Sequence, residues 1–138
     1  MKERDIERTC SDFLELDGWR SLKTDPVSDR ARGKGFGEIG MADRLYIRYG
    51  DIELFDRHIG QKEPNDYPWM KCKRWNCEVL WIEFKSAKGK PSLKQLDWHR
   101  AERARGALTW IAGVDFPASI EGFMAFYRQS GLLRRQGL

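Results

Sequence analysis

Long apolar runs are missing from this chain of 138 residues. None approaches the roughly 20 consecutive apolar residues a helix needs to cross a bilayer. The first residues, Met1-Lys2-Glu3-Arg4-Asp5, lack the apolar stretch of a secretory signal, so the expectation is an intracellular, cytoplasmic protein with no membrane partner. Cysteine is scarce. The three cysteines, an odd number, argue against a disulfide framework and suit a reducing compartment. Histidine is scarcer still, with only His58 and His99. His58, Cys72 and Cys77 invite a zinc reading. However, the two cysteines are five apart and no fourth ligand is obvious, whereas structural zinc takes four ligands in paired spacing. Linkers, internal repeats and long low-complexity stretches are also missing. Residues 1–138 therefore read as one domain, and 41% hydrophobic residues are enough for a real core.

The net charge of +4 is too modest to argue for nucleic acid by itself. Its distribution says more. Residues 1–18 carry three basic and six acidic side chains, while residues 86–105 carry six basic ones against Asp97 and Glu102. The tail adds Arg128, Arg134 and Arg135, with no acid after Glu121. Such segregation can present a basic face to phosphates, or it can be an ordinary solvated helix face.

Apolar periodicity predicts a helix over residues 3–17, with Ile6, Cys10, Phe13 and Leu14 on one stripe and Gly18 as its stop. Trp19 to Lys23 reads as a short strand. Asp25 to Gly40 is a polar, glycine-containing loop with Arg30, Arg32 and Lys34. Its Gly35-Phe36-Gly37-Glu38-Ile39-Gly40 satisfies G-x-G-x-x-G, but a dinucleotide site needs a strand before the motif and a helix after it. Here a loop precedes and a strand, Ala42 to Tyr49, follows. Residues 50–77 resist assignment: Ile52 to Phe55 can extend a hairpin, and the chain then runs as loop through Pro64, Asn65 and Pro68. Glu78 to Lys85 is the clearest strand: Leu80, Ile82 and Phe84 face the core, and Trp81, Glu83 and Lys85 face the other way. Ser92 opens a helix that ends at Gly106. Leu108 to Ala112 reads as a buried strand. A last helix near Pro117 carries the stripe Ile120, Phe123, Met124 and Tyr127. The order is αβββαβα, and the 78–85 strand, the helix and the 108–112 strand would form a right-handed crossover between parallel strands.

Glu83 and Lys85, two apart on a strand, share a face. The carboxylate can hold a hard metal ion and the ammonium can orient water or balance phosphate charge; equally, the two can be a solvent-facing ion pair. Asp43, in Gly40-Met41-Ala42-Asp43, enters a strand able to pair antiparallel with 78–85. Two carboxylates from adjacent strands, with the backbone carbonyl of Phe84 as a further oxygen, can bind one Mg²⁺. Asp43 can also be a loop cap. Ser92-x-x-Gln95 is a capping box. His99, one turn beyond Gln95, reads as a surface histidine, and Trp81 can pack under the first helix or stack near an unpaired base.

Asp43, then Glu83-Phe84-Lys85, then Ser92-Leu93-Lys94-Gln95 on a helix, resembles the PD-(D/E)xK nuclease superfamily, and within it the virus-type replication-repair nuclease (VRR-NUC) family. The resemblance covers nearly the whole chain. It implies a restriction-endonuclease-like α/β core that hydrolyses DNA with Mg²⁺ or Mn²⁺. By it Asp43 and Glu83 are metal ligands, Lys85 is the catalytic lysine, Gln95 lines the site as well as capping its helix, and Glu7, or Glu3 one turn earlier, is the acid of the first helix. Lys88, Lys90, Lys94 and Arg103, with Arg30, Arg32 and Lys34, are the candidate phosphate contacts. The likeness of compact members to Holliday-junction resolvases implies a homodimer acting on branched DNA. The alternatives are a catalytically silent DNA-binding module, and a flap or single-strand nuclease within a larger assembly. The sequence departs from the family at Ala42, where proline is usual, and in the long spacing from Asp43 to Glu83, which against the family pattern makes 50–77 an insertion.

Overall fold

The structure is a computed structural model and describes residues 1–24, 37–50 and 77–138. The expected loop residues Arg30, Arg32 and Lys34, the hairpin extension, and His58 and Cys72 of the expected insertion lie outside the described residues. Within them the order is α1 (Glu3–Leu16), β1 (Arg20–Lys23), β2 (Arg44–Arg48), β3 (Glu78–Glu83), α2 (Leu93–Ala104), β4 (Leu108–Ile111) and α3 (Ile120–Gln129). This is a mixed α/β architecture. The sheet runs β1-β2-β3-β4, with the first two pairings antiparallel and β3–β4 parallel across α2. None of the described helices is long and apolar enough to cross a membrane.

Local signals account for the boundaries. Gly18 sits at φ +90°, where a side chain would be strained. There the Gly18 N–H donates to Glu15 O and the Trp19 N–H to Leu14 O, the paired bonds that close a helix on a left-handed residue. Ser92 and Gln95 make the full reciprocal capping box, and Ser119 caps α3 through the Gly122 N–H.

One sheet face packs against α1 and α3. Ile6, Cys10, Phe13 and Leu14 of α1, Tyr46, Leu80, Ile82, Phe84 and Trp110 of the sheet side, and Phe123 and Tyr127 of α3 form the buried core. Each such side chain contributes roughly 1.5–3 kcal/mol by leaving water. A polar cluster is buried with them. Asp17, at the end of α1, pairs with Arg48 Nη1 at 3.0 Å, accepts the Tyr127 hydroxyl, and takes the backbone N–H groups of Arg134 and Arg135 at 3.0 and 2.6 Å. The tail arginines are thus partly structural: their backbones tie the chain after α3 to α1, and Arg134 also pairs with Glu78.

The other face of β3 and β4 is covered by α2. Trp81 meets Trp98 edge-to-face with ring centroids 5.2 Å apart, so its partner is α2 and not α1. His99 is not a surface residue: it is 1% exposed, with Nδ1 bonded to the Thr109 hydroxyl. Trp81 and Thr109 are register partners across β3–β4, so both contacts fasten α2 to one rung of the sheet. β4 is the buried strand expected, with Thr109, Trp110 and Ile111 all inside and only its first residue Leu108 exposed, and among the described residues it is the last strand of the sheet. Its outward backbone is nevertheless bonded. Arg103 donates to Thr109 O at 2.8 Å, Asp115 accepts the Ile111 N–H at 2.7 Å, and the two side chains pair at 2.6 Å.

Candidate active site

The register Arg44↔Ile82, carried one step outward, sets Asp43 opposite Glu83. Two carboxylates 40 residues apart in sequence therefore stand side by side where the sheet ends. The backbone holds them there. The Thr24 N–H donates to Asp43 O at 3.0 Å and the Ala112 N–H to Glu83 O at 2.9 Å, while the Asp43 N–H donates to Glu83 Oε2 at 3.2 Å. β2 begins at Arg44 and β3 ends at Glu83, which leaves Asp43 and Lys85 on the rim.

Glu83 is fully buried, which removes the solvent-facing ion pair as a description of it. Its Oε1 receives Gln95 Nε2 at 2.5 Å and Lys85 Nζ at 2.7 Å. Burial first, and then the neighbouring Asp43 charge, push Glu83 up to about 7, against the pull of Lys85. Asp43 is raised as well, again chiefly by burial, with Lys85 opposing and Glu3 ahead of Glu7 adding to the rise. A buried and a half-buried carboxylate side by side resist carrying both charges and titrate as one unit. Added positive charge at the pair relieves that.

Gln95 performs both of its expected tasks. Its Oε1 accepts the Ser92 N–H at 2.9 Å, while its Nε2 faces Glu83. The two ends of the amide point to two partners, so capping the helix and touching the site are compatible. The approach of α2 to the Asp43 segment depends on Gly40, at φ +80°. A Cβ there would overlap the Lys94 carbonyl. Trp98 Nε1 donates to Glu38 at 2.8 Å and holds the same segment from the next turn.

Helix α1 enters from the other side. Glu7, the favoured acid of this helix, is engaged by Arg44 Nε at 2.5 Å rather than directed at the carboxylate pair. Glu3 accepts the Ser86 N–H at 3.3 Å, one residue beyond Lys85, and is the better placed of the two. Phe84 sits in the core with its ring 6.1 Å from that of Phe123, which anchors the backbone between Glu83 and Lys85.

The candidate phosphate contacts divide. Lys88 and Lys90 are exposed in the turn after Lys85, and Lys94 is exposed in the first turn of α2. Arg103 is occupied by Asp115 and the Thr109 carbonyl, so its charge is balanced at the sheet edge. Cys77, the described member of the zinc trio, is an exposed free cysteine. Among the described residues no three His, Cys, Asp or Glu side chains group closely enough to hold a metal by themselves. The Asp43–Glu83 pair is an oxygen-only, two-carboxylate set, which fits Mg²⁺, an ion that keeps several waters.

Arg44 and Thr24 were not singled out from the sequence. The one available signal was Arg44's place directly after Asp43, which puts it on the opposite sheet face, toward α1. Comparison with protein-family models, with curated proteins and with solved structures gives no match for this chain.

Proposed function

We propose that the chain is a Mg²⁺- or Mn²⁺-dependent DNA nuclease with a restriction-endonuclease-like core, similar to the VRR-NUC family. The observation that carries this reading is the convergence of Asp43, Glu83, Lys85 and Gln95, from two strands and a helix, at one end of the sheet. Asp43 and Glu83, with the Phe84 carbonyl, would hold the ion. When bound it supplies an activated water and charge stabilisation for phosphodiester hydrolysis. Lys85 Nζ, 14% exposed beside a fully buried Glu83 carboxylate, is the group that can reach solvent and substrate: it orients the attacking water and offsets charge growing on the phosphate. Gln95 fixes the Glu83 carboxylate from the side of α2. A homodimer acting on branched DNA follows from the family likeness alone; two-fold symmetry would set two such sites on two strands.

A catalytically silent DNA-binding module is the second reading, and one observation favours it: Glu83 is already satisfied by three donors, as a structural carboxylate would be. A single assay separates the two. The full chain is incubated with Mg²⁺ and duplex, flap, nicked and four-way DNA. Cleavage of any of these should vanish in EDTA and return with Mg²⁺ or Mn²⁺. Binding without cleavage on the whole panel would leave the silent module, and full activity in excess EDTA would remove the metal from the reading.

A further inference from the structure

A polar groove of about 490 Å³ runs between α1 and the β1–β2 side of the sheet. Its charge changes sign along its length. Near the carboxylate pair it is lined by Arg4, Arg8, Lys23 and Arg44. Lys23 and Arg44 are register partners. Arg44 is on the α1 face, opposite the face that carries Asp43 and Glu83, so the groove meets the carboxylate pair around the end of the sheet, where the charge of the groove residue Glu7 is felt by Asp43. Arg4 and Arg8 lie one helical turn apart near the start of α1, where Glu3 reaches Ser86. Further along, the lining turns acidic with Asp12 and Glu15. At a rise of about 1.5 Å per residue, Glu15 lies roughly 16 Å from Arg4 along the helix.

At the cationic end Glu7 balances Arg44, and Arg8 has only a 3.9 Å contact with Asp5 at 73% exposure. That leaves a surplus of positive charge beside the carboxylate pair, and two carboxylates where a polyanion would have to continue. A volume of this order holds a small ligand, not a length of duplex.

We infer that this groove is a subsite for one phosphate group of a nucleic-acid strand, next to the position that is cut, and that Asp12 and Glu15 end it by repelling the following phosphate. Only the position of this subsite beside a cut rests on the nuclease reading; the phosphate site itself stands on the lining. Inorganic phosphate shares the recognised chemistry, so it serves as a competitor that distinguishes a bound free anion from a strand.

The test is fluorescence anisotropy of a labelled 12-nucleotide single strand with the full chain in EDTA, titrated with salt. Two double variants of exposed side chains are compared with wild type, with melting temperature measured on each. Arg4→Gln with Arg8→Gln should weaken binding several-fold and flatten the salt dependence by about 0.7 in slope, the loss of one single-strand phosphate contact. Asp12→Asn with Glu15→Gln should do the reverse, tightening binding and steepening the slope. Inorganic phosphate at millimolar concentration should displace the strand only weakly. An unchanged slope in both variants overturns the inference, and so does full displacement by millimolar phosphate, which would mark a free-anion site. Absence of strand binding by the wild type overturns it together with the nuclease reading. The expected slopes without Mg²⁺-dependent cleavage would remove the nuclease reading and leave the groove.

Discussion

At the scale of single residues, Lys85 and His99 make opposite demands on the same fold. Lys85 lies on the rim, its charge turned toward a carboxylate and solvent, so its removal spares the core. Lys85→Ala should keep its circular dichroism spectrum, with Glu83 taking up a proton in place of its lost partner, yet lose at least ~100-fold in single-turnover cleavage rate, the lower range for loss of one group that acts in the transition state. A near wild-type rate would refute its role. His99 is held neutral. Burial, then the Arg103 charge, with Lys85 adding and Asp115 opposing, lower it to about 4, and its Nε2 lacks a hydrogen-bond partner among the described residues. Above pH ~6.5 both folded and unfolded chains carry this ring neutral, and its contribution to stability is complete. Between 6.5 and about 4 only the unfolded chain takes up the proton, so stability falls as the solution is acidified. Urea unfolding of wild type and His99→Gln across this range should show the wild-type advantage shrinking by up to about 3 kcal/mol; a difference that does not depend on pH would contradict the assignment. From the sequence His99 reads as a surface residue, one turn beyond Gln95. What buries it is the rung of Trp81 and Thr109 on the sheet, which becomes visible only once β3 and β4 are paired.

Elements were easier to read than their neighbours. The 3.6-residue stripe of α1, the alternation in β3 and the capping box of α2 are local signals, and each lies at its expected place within a few residues. Side-chain pairings between elements were harder, since Glu7 with Arg44 or Arg103 with Asp115 depends on which surfaces meet. Asp43 and Glu83 were legible as a pair because antiparallel pairing of two recognisable strands is enough to bring them together. The docking of α2 onto that pair is more exacting. Gly40 is required twice, for its positive φ and for the contact with the Lys94 carbonyl. Gly40→Ala should therefore cost about 2–4 kcal/mol, from backbone strain together with overpacking. In chemical denaturation this appears as a lower midpoint. Cleavage should fall with it, even under conditions where the variant is fully folded, because Gln95 is carried on the displaced turn. Unchanged stability would mean that the loop and helix part at no cost.

For the molecule as a whole, the Arg103–Asp115 pair at β4 matters beyond its own bonds. A last strand normally offers a row of unpaired backbone groups onto which another chain can add. Here the Thr109 carbonyl and the Ile111 N–H are already claimed. Arg103→Ala or Asp115→Ala should leave the sheet formed but uncap one of these groups, and light scattering at high protein concentration should rise in either variant relative to wild type. Equal scattering would show that the pair has no such role. The guarded edge also restricts how two copies can meet: a partner strand that adds to β4 must first displace Arg103 and Asp115 from its backbone. On the proposed nuclease dimer, contacts through helices, loops or the opposite side of the molecule escape that cost, and the separation between its two cuts would then be set by those surfaces rather than by strand spacing.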